Sequence, residues 1–494
     1  MSSINSDYMS SMVLQSLNKT DAQMTSAMQR LSTGKRINGA GDDAAGLSIA
    51  SKLKAQVNGL KAAIKNASDA LAMVGTIEGA LEETTDMLQR MRQLAVQAAS
   101  DTNTGTDRAY LQDEMNQLST EINRISNNTE FNSSKLLDGS FTDKVIQIGT
   151  AGNQVLRLGV ASTDSGTLGT YQITSDDESQ AATATHANAK SALNALFVDA
   201  ADYVVKGSFG TVTATVDLGA DARDVASAFN TISGTTGVLA AAITRARLTF
   251  ASASTYTFTL EGKSSTFSTV TATLTNTSDL TAIKDAINAV SGATGITAAL
   301  TTSKAGINIV QEEGYDIIIG DVTGGNATVT AMDRSEELNA STISLTNGGN
   351  DSTAVMGQVA LSSHQAFTVT PGNSANHFAT GVAEESSTIN SISSISLTTK
   401  SGATNSLSVI DGALAMVSEI RSSMGAADNR LKSTIDNLSN IAVNAQASLS
   451  AIEDANFAEE TSALTKAQIL QQASTAMLAQ ANKGKQGMLA LIQN

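Results

Sequence analysis

Both ends of this chain repeat apolar residues at heptad spacing over long stretches without proline, which commits them to long helices that must pack against other helices. From Val13 to about Leu31 the apolar positions are Leu14, Leu17, Met24, Met28 and Leu31, with Asp21 at a polar seam position. A Gly-rich polar stretch from Thr33 to Asp43 interrupts the pattern. The seam then resumes through Leu53, Val57, Leu60, Ile64, Ala67, Leu71 and Val74. Its phase slips near Gly75 and continues through Ile77, Leu81, Thr84, Leu88, Met91, Ala95 and Ala98, a slip that overwinds a coiled coil without ending it. Ser100 to Gly105 breaks the helix, and Leu111, Met115, Leu118, Ile122 and Ile125 predict an antiparallel return. The C-terminal end mirrors this, with Ile410, Leu414, Val417, Met424, Leu431, Ile435, Leu438, Ala442, Ala445, Leu449 and Ile452 on the seam and Arg421 and Asp428 at polar seam positions. A last helix is predicted from Ala463 to about Asn482, presenting Ala467, Leu470, Met477 and Ala481.

Composition narrows the functional classes. Absence of Cys removes disulfide frameworks, thiolate nucleophiles and zinc–thiolate sites. Three histidines, His186, His364 and His377, leave little material for imidazole chemistry. A net charge of −16 gives no electrostatic footprint for nucleic acid or an anionic membrane. The apolar content is 41% with only 3% aromatic, so burial must come from close packing of small side chains. The start, Met1 to Tyr8, has no basic or apolar segment of a secretory signal, which by itself points to the cytoplasm. Asp42 and Asp43 are read as helix N-terminal caps rather than as a metal pair. Glu82-Glu83, Glu312-Glu313, Glu384-Glu385 and Glu459-Glu460 read as solvated faces. No catalytic, cofactor-binding or metal-ligating residues are assigned, and the chain is not expected to be an enzyme.

The middle, roughly 170–400, is dense in Thr, Ser, Gly, Ala and Val, with strand-like alternation at Thr211–Val216 and Tyr256–Leu260. It holds a gapless repeat at an offset of 58 residues: Phe209–Val216 matches Phe267–Leu274, and Phe229–Val238 matches Ile287–Ile296. Each copy reads as strand, short helix, Ser-Gly turn and strand, an α+β module used twice. Such a block is an insertion between two helical halves, tolerated because loop-closure entropy grows slowly with length.

The motifs Leu31–Gly46, Leu88–Gln97, Thr129–Asn132, Ile452–Phe457, Lys466–Gln472 and Ala479–Asn482 resemble those of bacterial flagellins, over about 1–160 and 400–494. The repeated modules resemble the IN motif of variable flagellin domains, after the pair Ile287-Asn288. The resemblance implies a mixed α and β chain: a long α-helical coiled-coil hairpin formed by both termini, with a solvent-facing α+β or all-β central insertion. It implies an inner coiled-coil domain of 1–45 plus 455–494, a helical bundle with a small β element of 46–170 plus 400–454, and a variable outer insertion of 171–399. The two modules are placed at about 209–260 and 267–320.

The implied role is the structural subunit of the flagellar filament, exported unfolded through the flagellar type III apparatus and located extracellularly, on the flagellum. The implied partners are the chain itself in a helical homopolymer, the flagellar cap, an export chaperone and hook–filament junction proteins. A hook–filament junction protein is the alternative reading. An adhesin or enzyme role for the insertion would need a convergent polar pocket, which no constellation in the sequence supplies.

Candidate subunit-packing residues are Leu14, Leu17, Met28, Leu31, Leu470, Met477 and Met488, because one chain cannot bury its whole seam and short isolated helices are marginal. In flagellins sensed by an animal Toll-like receptor, matching positions form a contact surface, which by resemblance falls on Arg90, Leu94, Gln97 and Glu114. Arg90, Leu94 and Gln97 recur at i, i+4 and i+7 and are expected on one face.

Overall fold

The computed structural model describes residues 8–175, 201–217, 219–372 and 384–492, together with positions 183, 185, 189 and 378. Its contacts divide into two units: Met1–Val74, Asp143–Leu158 and Ala426–Asn494 form the first, and Gly75–Thr142 and Gly159–Gly425 the second. Helices α1 (Tyr8–Thr33), α2 (Ala44–Ala98), α3 (Gly105–Asn128), α4 (Ala222–Thr231), α5 (Thr281–Ala289), α6 (Lys400–Glu453) and α7 (Phe457–Ile492) carry the helical part. Helix α2 runs unbroken through Gly75, as the phase slip requires, and α7 extends beyond both ends of its predicted span.

In the first unit, α1 packs along α7, and a core of Val57, Leu60, Ala63, Leu438 and Ala445 joins α2 to α6. A two-stranded antiparallel element, Lys144–Gln147 with Val155–Leu158, is tied to α2 by the Asn66 amide donating to the Gln147 carbonyl at 3.1 Å.

In the second unit, α2 from Gly75, α3 and the start of α6 bury Ile77, Leu81, Leu88, Met91, Leu94, Met115, Ile122, Ile410 and Val417. Thr104 starts α3 with a capping box closed by Asp107. Arg108 closes the end of α2, donating to the carbonyls of Ala98 (2.8 Å), Ser100 (2.9 Å) and Asn103 (3.0 Å). After α3, Glu130–Phe131 pairs with Ser134–Lys135 through Asn132 and Ser133, whose φ values of 48° and 61° fit the type I′ turn of a tight hairpin. That turn is what the Thr129–Asn132 motif encodes.

The central region of this unit is a β system with two repeated modules. The larger sheet runs Ile296–Leu300, Ile307–Gln311, Leu239–Phe250, Gln358–Ser363, Gly169–Thr174 and Thr388–Ser391, all antiparallel, with Ala327–Met332 also pairing Leu239–Phe250. Two four-stranded sheets flank it. One carries Ala201–Lys206 and Thr211–Val216, the other Thr255–Glu261 and Ser268–Thr273. Each copy therefore includes a strand preceding the repeated sequence. The hairpin loops there differ in length, Gly207–Gly210 against Gly262–Phe267, so the gapless match starts only at Phe209.

Both copies fold through the same devices. Their helices bury an aromatic or branched residue, Phe229 or Ile287, and a Gly at left-handed φ follows the Ser-Gly turn, Gly237 at 74° and Gly295 at 69°. The Asn after each buried residue acts as a two-bond clamp. Asn230 receives the Ala240 N–H and donates to the Ala240 carbonyl, both at 2.9 Å. Asn288 does the same to Ala298, at 2.8 Å and 3.0 Å. The side-chain amide thus replaces a missing strand partner and holds helix and strand at fixed spacing. Paired Thr hydroxyls, Thr255 with Thr273 and Thr257 with Thr271, line the exposed face of the second module, which accounts for part of the Thr content.

Because Asn288 is half-buried and Asn230 exposed, Asn288→Ala is expected to lower stability by about 1–3 kcal/mol and Asn230→Ala by less. Equilibrium urea unfolding of the monomeric chain measures both; equal, negligible changes would show that the clamps are ornamental.

Candidate assembly surface

Along α1 the side chains buried by this chain are small: Ser10, Thr20 and Ala27, with Ala467 on the facing helix α7. Small residues let two helix backbones approach closely. Polar ties fix the register. Arg30 pairs with Glu460 at 3.1 Å and Gln471 donates to Asp21 at 2.7 Å, so positions rise on one helix as they fall on the other and the pair is antiparallel. Asp21, a polar interruption of the seam in sequence, thus has a partner. Of the two polar seam positions in α6, Arg421 pairs with Glu78 and Asp428 with Lys432.

The predicted packing residues lie around this stripe. Leu14 and Met28 on α1, and Leu470 and Met477 on α7, are 45%, 51%, 42% and 58% exposed. Leu17 and Leu31 are half-buried, and the side chain of Met488 lies outside the described residues. Tyr8, Met9, Met12, Phe457 and Ile469 add exposed apolar surface to the same two helices. The heptad pattern thus located the apolar residues but not the contact within one chain; Thr20 and Ala27, which make that contact, carry no conspicuous hydrophobic signal. Exposed apolar side chains gathered on one helix pair in this way mark an interaction surface.

The turn between α1 and α2 is fastened to the turn between α6 and α7. Arg36 N–H donates to the Glu453 carbonyl at 2.7 Å, Ala455 N–H to the Gly34 carbonyl at 2.9 Å, and Lys35 forms an ion pair with Glu453. Gly34, at φ 70°, supplies the left-handed residue that ends α1. Asp42 accepts the N–H groups of Asn38 and Gly39, and Asp43 that of Gly46 at 2.8 Å. Both carboxylates cap backbone, which explains the doubled acid of this motif.

On the second unit, Arg90 and Glu114 meet at 2.8 Å across α2 and α3, and Gln97 is exposed. Leu94 departs from expectation. It is 1% exposed, in the stripe Leu88, Met91, Leu94, Ala95 and Ala98 that faces the helical core. Spacing at i, i+4 and i+7 covers an arc of about 60°, and here the core boundary falls inside that arc, between Arg90 and Leu94, leaving Arg90 and Gln97 outside and Leu94 inside. Beside them Gln89, Arg92, Gln93, Val96 and Gln97 line a shallow depression. Its Arg92 is held to Asp411 at 2.7 Å, and that hydrogen bond raises the guanidinium above its ordinary pKa.

Comparison with known proteins follows the same division. Residues 4–142 match the family model for the bacterial flagellin N-terminal helical region, 407–492 that for the flagellin C-terminal helical region, and 257–312 the flagellin hook IN motif. The last match spans the second module, whereas the Asn230 clamp of the first is built in the same way. The chain is 34% identical to a B-type flagellin of Pseudomonas aeruginosa over 99% of both chains, and 31% identical to a flagellin of Salmonella rubislaw, again over 99% of both. Among solved structures, hook-associated protein-3 of Legionella pneumophila is similar at 13% identity and a TM-score of 0.36, covering 81% of this chain and 98% of that one. Similarity along the whole length of both chains, with both helical ends matched, places this chain in the bacterial flagellin family.

Proposed function

We infer that this chain is the structural subunit that polymerises into the bacterial flagellar filament, and that it serves motility as a mechanical element outside the cell rather than as an enzyme. The observation that carries the reading is the apolar face left outside the α1–α7 pair, around Leu14, Met28, Leu470 and Met477. Each such side chain contributes about 1.5–3 kcal/mol when sequestered, so ordering of the ends is favourable only when neighbouring copies cover them. Self-assembly is therefore coupled to completion of the fold. A hook–filament junction role is less well supported, because the relatives matched from end to end are flagellins.

The finer reading follows the layers expected from sequence: 1–45 with 455–494 innermost, 46–170 with 400–454 around it, and 171–399 facing solvent. Export in an unfolded state suits a chain without Cys and with one Pro, because no disulfide or slow prolyl step delays folding after passage. The export chaperone, the cap and the junction proteins complete the proposed partners. A receptor of the flagellin-sensing Toll-like kind would meet Arg90, Gln97 and Glu114 on the exposed face of α2 and α3. Leu94 would contribute by holding that face in shape.

Removal of residues 1–33 or 458–494 is expected to yield soluble monomers that form no filaments; ordinary filament growth by either, seen by electron microscopy, would overturn the assembly reading. Leu94→Ala is expected to cost about 2–5 kcal/mol of stability as a core cavity, which unfolding of the monomer measures. In a receptor reporter assay, Gln97→Ala and Glu114→Ala should reduce the signal from stably folded monomer. Absence of signal from the wild-type chain would remove receptor contact from the proposal.

A further inference from the structure

The second unit contains a polar cavity of about 290 Å³. Its walls come from the strands Gly169–Thr174, Gln358–Ser363 and Thr388–Ser391 and from the first turns of α6, and its lining includes Gln172, Asp333, Arg334, Asn390 and Asn405. No aromatic ring and no large aliphatic side chain is part of that lining. Recognition there must be polar.

Arg334 is the unusual member. Its backbone is held firmly: its N–H donates to Gln358 Oε1 at 2.9 Å, and its carbonyl accepts the Ser401 hydroxyl at 2.7 Å. Its guanidinium, by contrast, makes one hydrogen bond, from Nη1 to the Ala241 carbonyl at 3.2 Å, and no ion pair among the described residues. The neighbouring Arg245 already has Glu336 at 2.8 Å. Burial, reinforced by the like charge of Arg245, pushes the Arg334 guanidinium below its ordinary pKa. Arg334 is half-buried, and a guanidinium with spare donors and no ion pair among the described residues is a ready partner for a bound carboxylate through charge-assisted bonds.

The remaining spare groups define the rest of the ligand. Gln172 uses its Oε1 to accept from Asn390 at 3.5 Å, leaving its amide N–H groups available. Asn405 donates to the Arg334 carbonyl at 3.5 Å, leaving its Oδ1 available. Asp333 accepts the Glu337 N–H at Oδ1, at 2.7 Å, leaving its second oxygen available. The cavity therefore offers a cation for a carboxylate, together with two acceptors and one donor for hydroxyl groups. Sulfate would satisfy Arg334 but bring no donor for Asn405 or Asp333. A neutral sugar would satisfy the acceptors but leave Arg334 uncompensated.

We propose that this cavity binds a single acidic monosaccharide, with its carboxylate on Arg334 and its hydroxyls on Gln172, Asn405 and Asp333. The volume is at the lower edge of small-ligand sites, about 300 Å³, which suits one sugar ring and not an oligosaccharide.

The test uses the full-length monomer and ligand-observed NMR at constant ionic strength, with sodium glucuronate, glucose and sodium sulfate as probes. Glucuronate should bind saturably and at least about tenfold more tightly than glucose, and sulfate should compete weakly. Arg334→Gln should abolish glucuronate binding, and Gln172→Leu and Asn405→Leu should each weaken it, with circular dichroism verifying the fold. No saturable glucuronate binding, equal binding of glucose, or full displacement by equimolar sulfate would overturn the proposal. Should Arg334→Gln fail to fold, unchanged binding by both Gln172→Leu and Asn405→Leu would overturn it equally.

Discussion

The arrangement of the chain ends depends on how closely two helices approach. Helices α1 and α7 meet through Ser10, Thr20, Ala27 and Ala467, side chains too small to separate the backbones. That closeness forces the larger residues to the flanks. The same contact that pairs the termini therefore creates the apolar face on which assembly is proposed to rest. Small contact residues bury little area on their own, and polar ties such as Arg30–Glu460 and Gln471–Asp21 hold register rather than supply much stability. The pair is specific in alignment and weak in isolation, a combination suited to ends that must reach their place before they become rigid.

Much of this was legible in the sequence because helical periodicity is a local property. The runs at 53–98 and 410–452 gave α2 and α6 nearly their full lengths, and Ser100–Gly105 marked the break that Thr104 and Arg108 build. The repeat at offset 58 gave the two modules, down to the Asn that follows Phe229 and Ile287. What escaped was non-local. The inward position of Leu94 depends on where α3 and α6 lie, and the α1–α7 stripe depends on small residues that any scan for hydrophobicity passes over. Tyr256–Leu260 is legible as a strand but falls in the first module as placed from sequence, whereas it pairs with Ser268–Thr273 and opens the second. The loops before Phe209 and Phe267 differ in length, which breaks the gapless match there. Arg334 gave no signal at all: its character comes from strands and a helix far apart in sequence converging on it.

The doubled acids illustrate the same limit in the other direction. Asp43 could be read correctly because a capping role follows from position alone, just before Ala44, whereas Asp42 caps not the helix but the preceding turn, at Asn38 and Gly39. Glu384 and Glu313 each found a lysine, Lys206 and Lys263, that only the sheet topology brings near. Lys206 and Thr368 bond the Glu384 carboxylate and hold it below the usual carboxylate range.

The strand Leu239–Phe250 belongs to both modules. Its first half pairs with Gln358–Ser362 beside α4, and Ala246, Leu248 and Phe250 in its second half enter the core around α5. The duplicated modules are consequently not interchangeable beads. Excising the first copy with that strand would strip an interior ribbon from the second, exposing open backbone edges on Ile307–Gln311 and Ala327–Met332 at once. Lineages that shorten this region would therefore be expected to lose both copies together or to keep the shared strand, and a grafted antigen or tag would be safest at the Gly207–Gly210 or Gly262–Phe267 loops, where the two copies already tolerate different lengths.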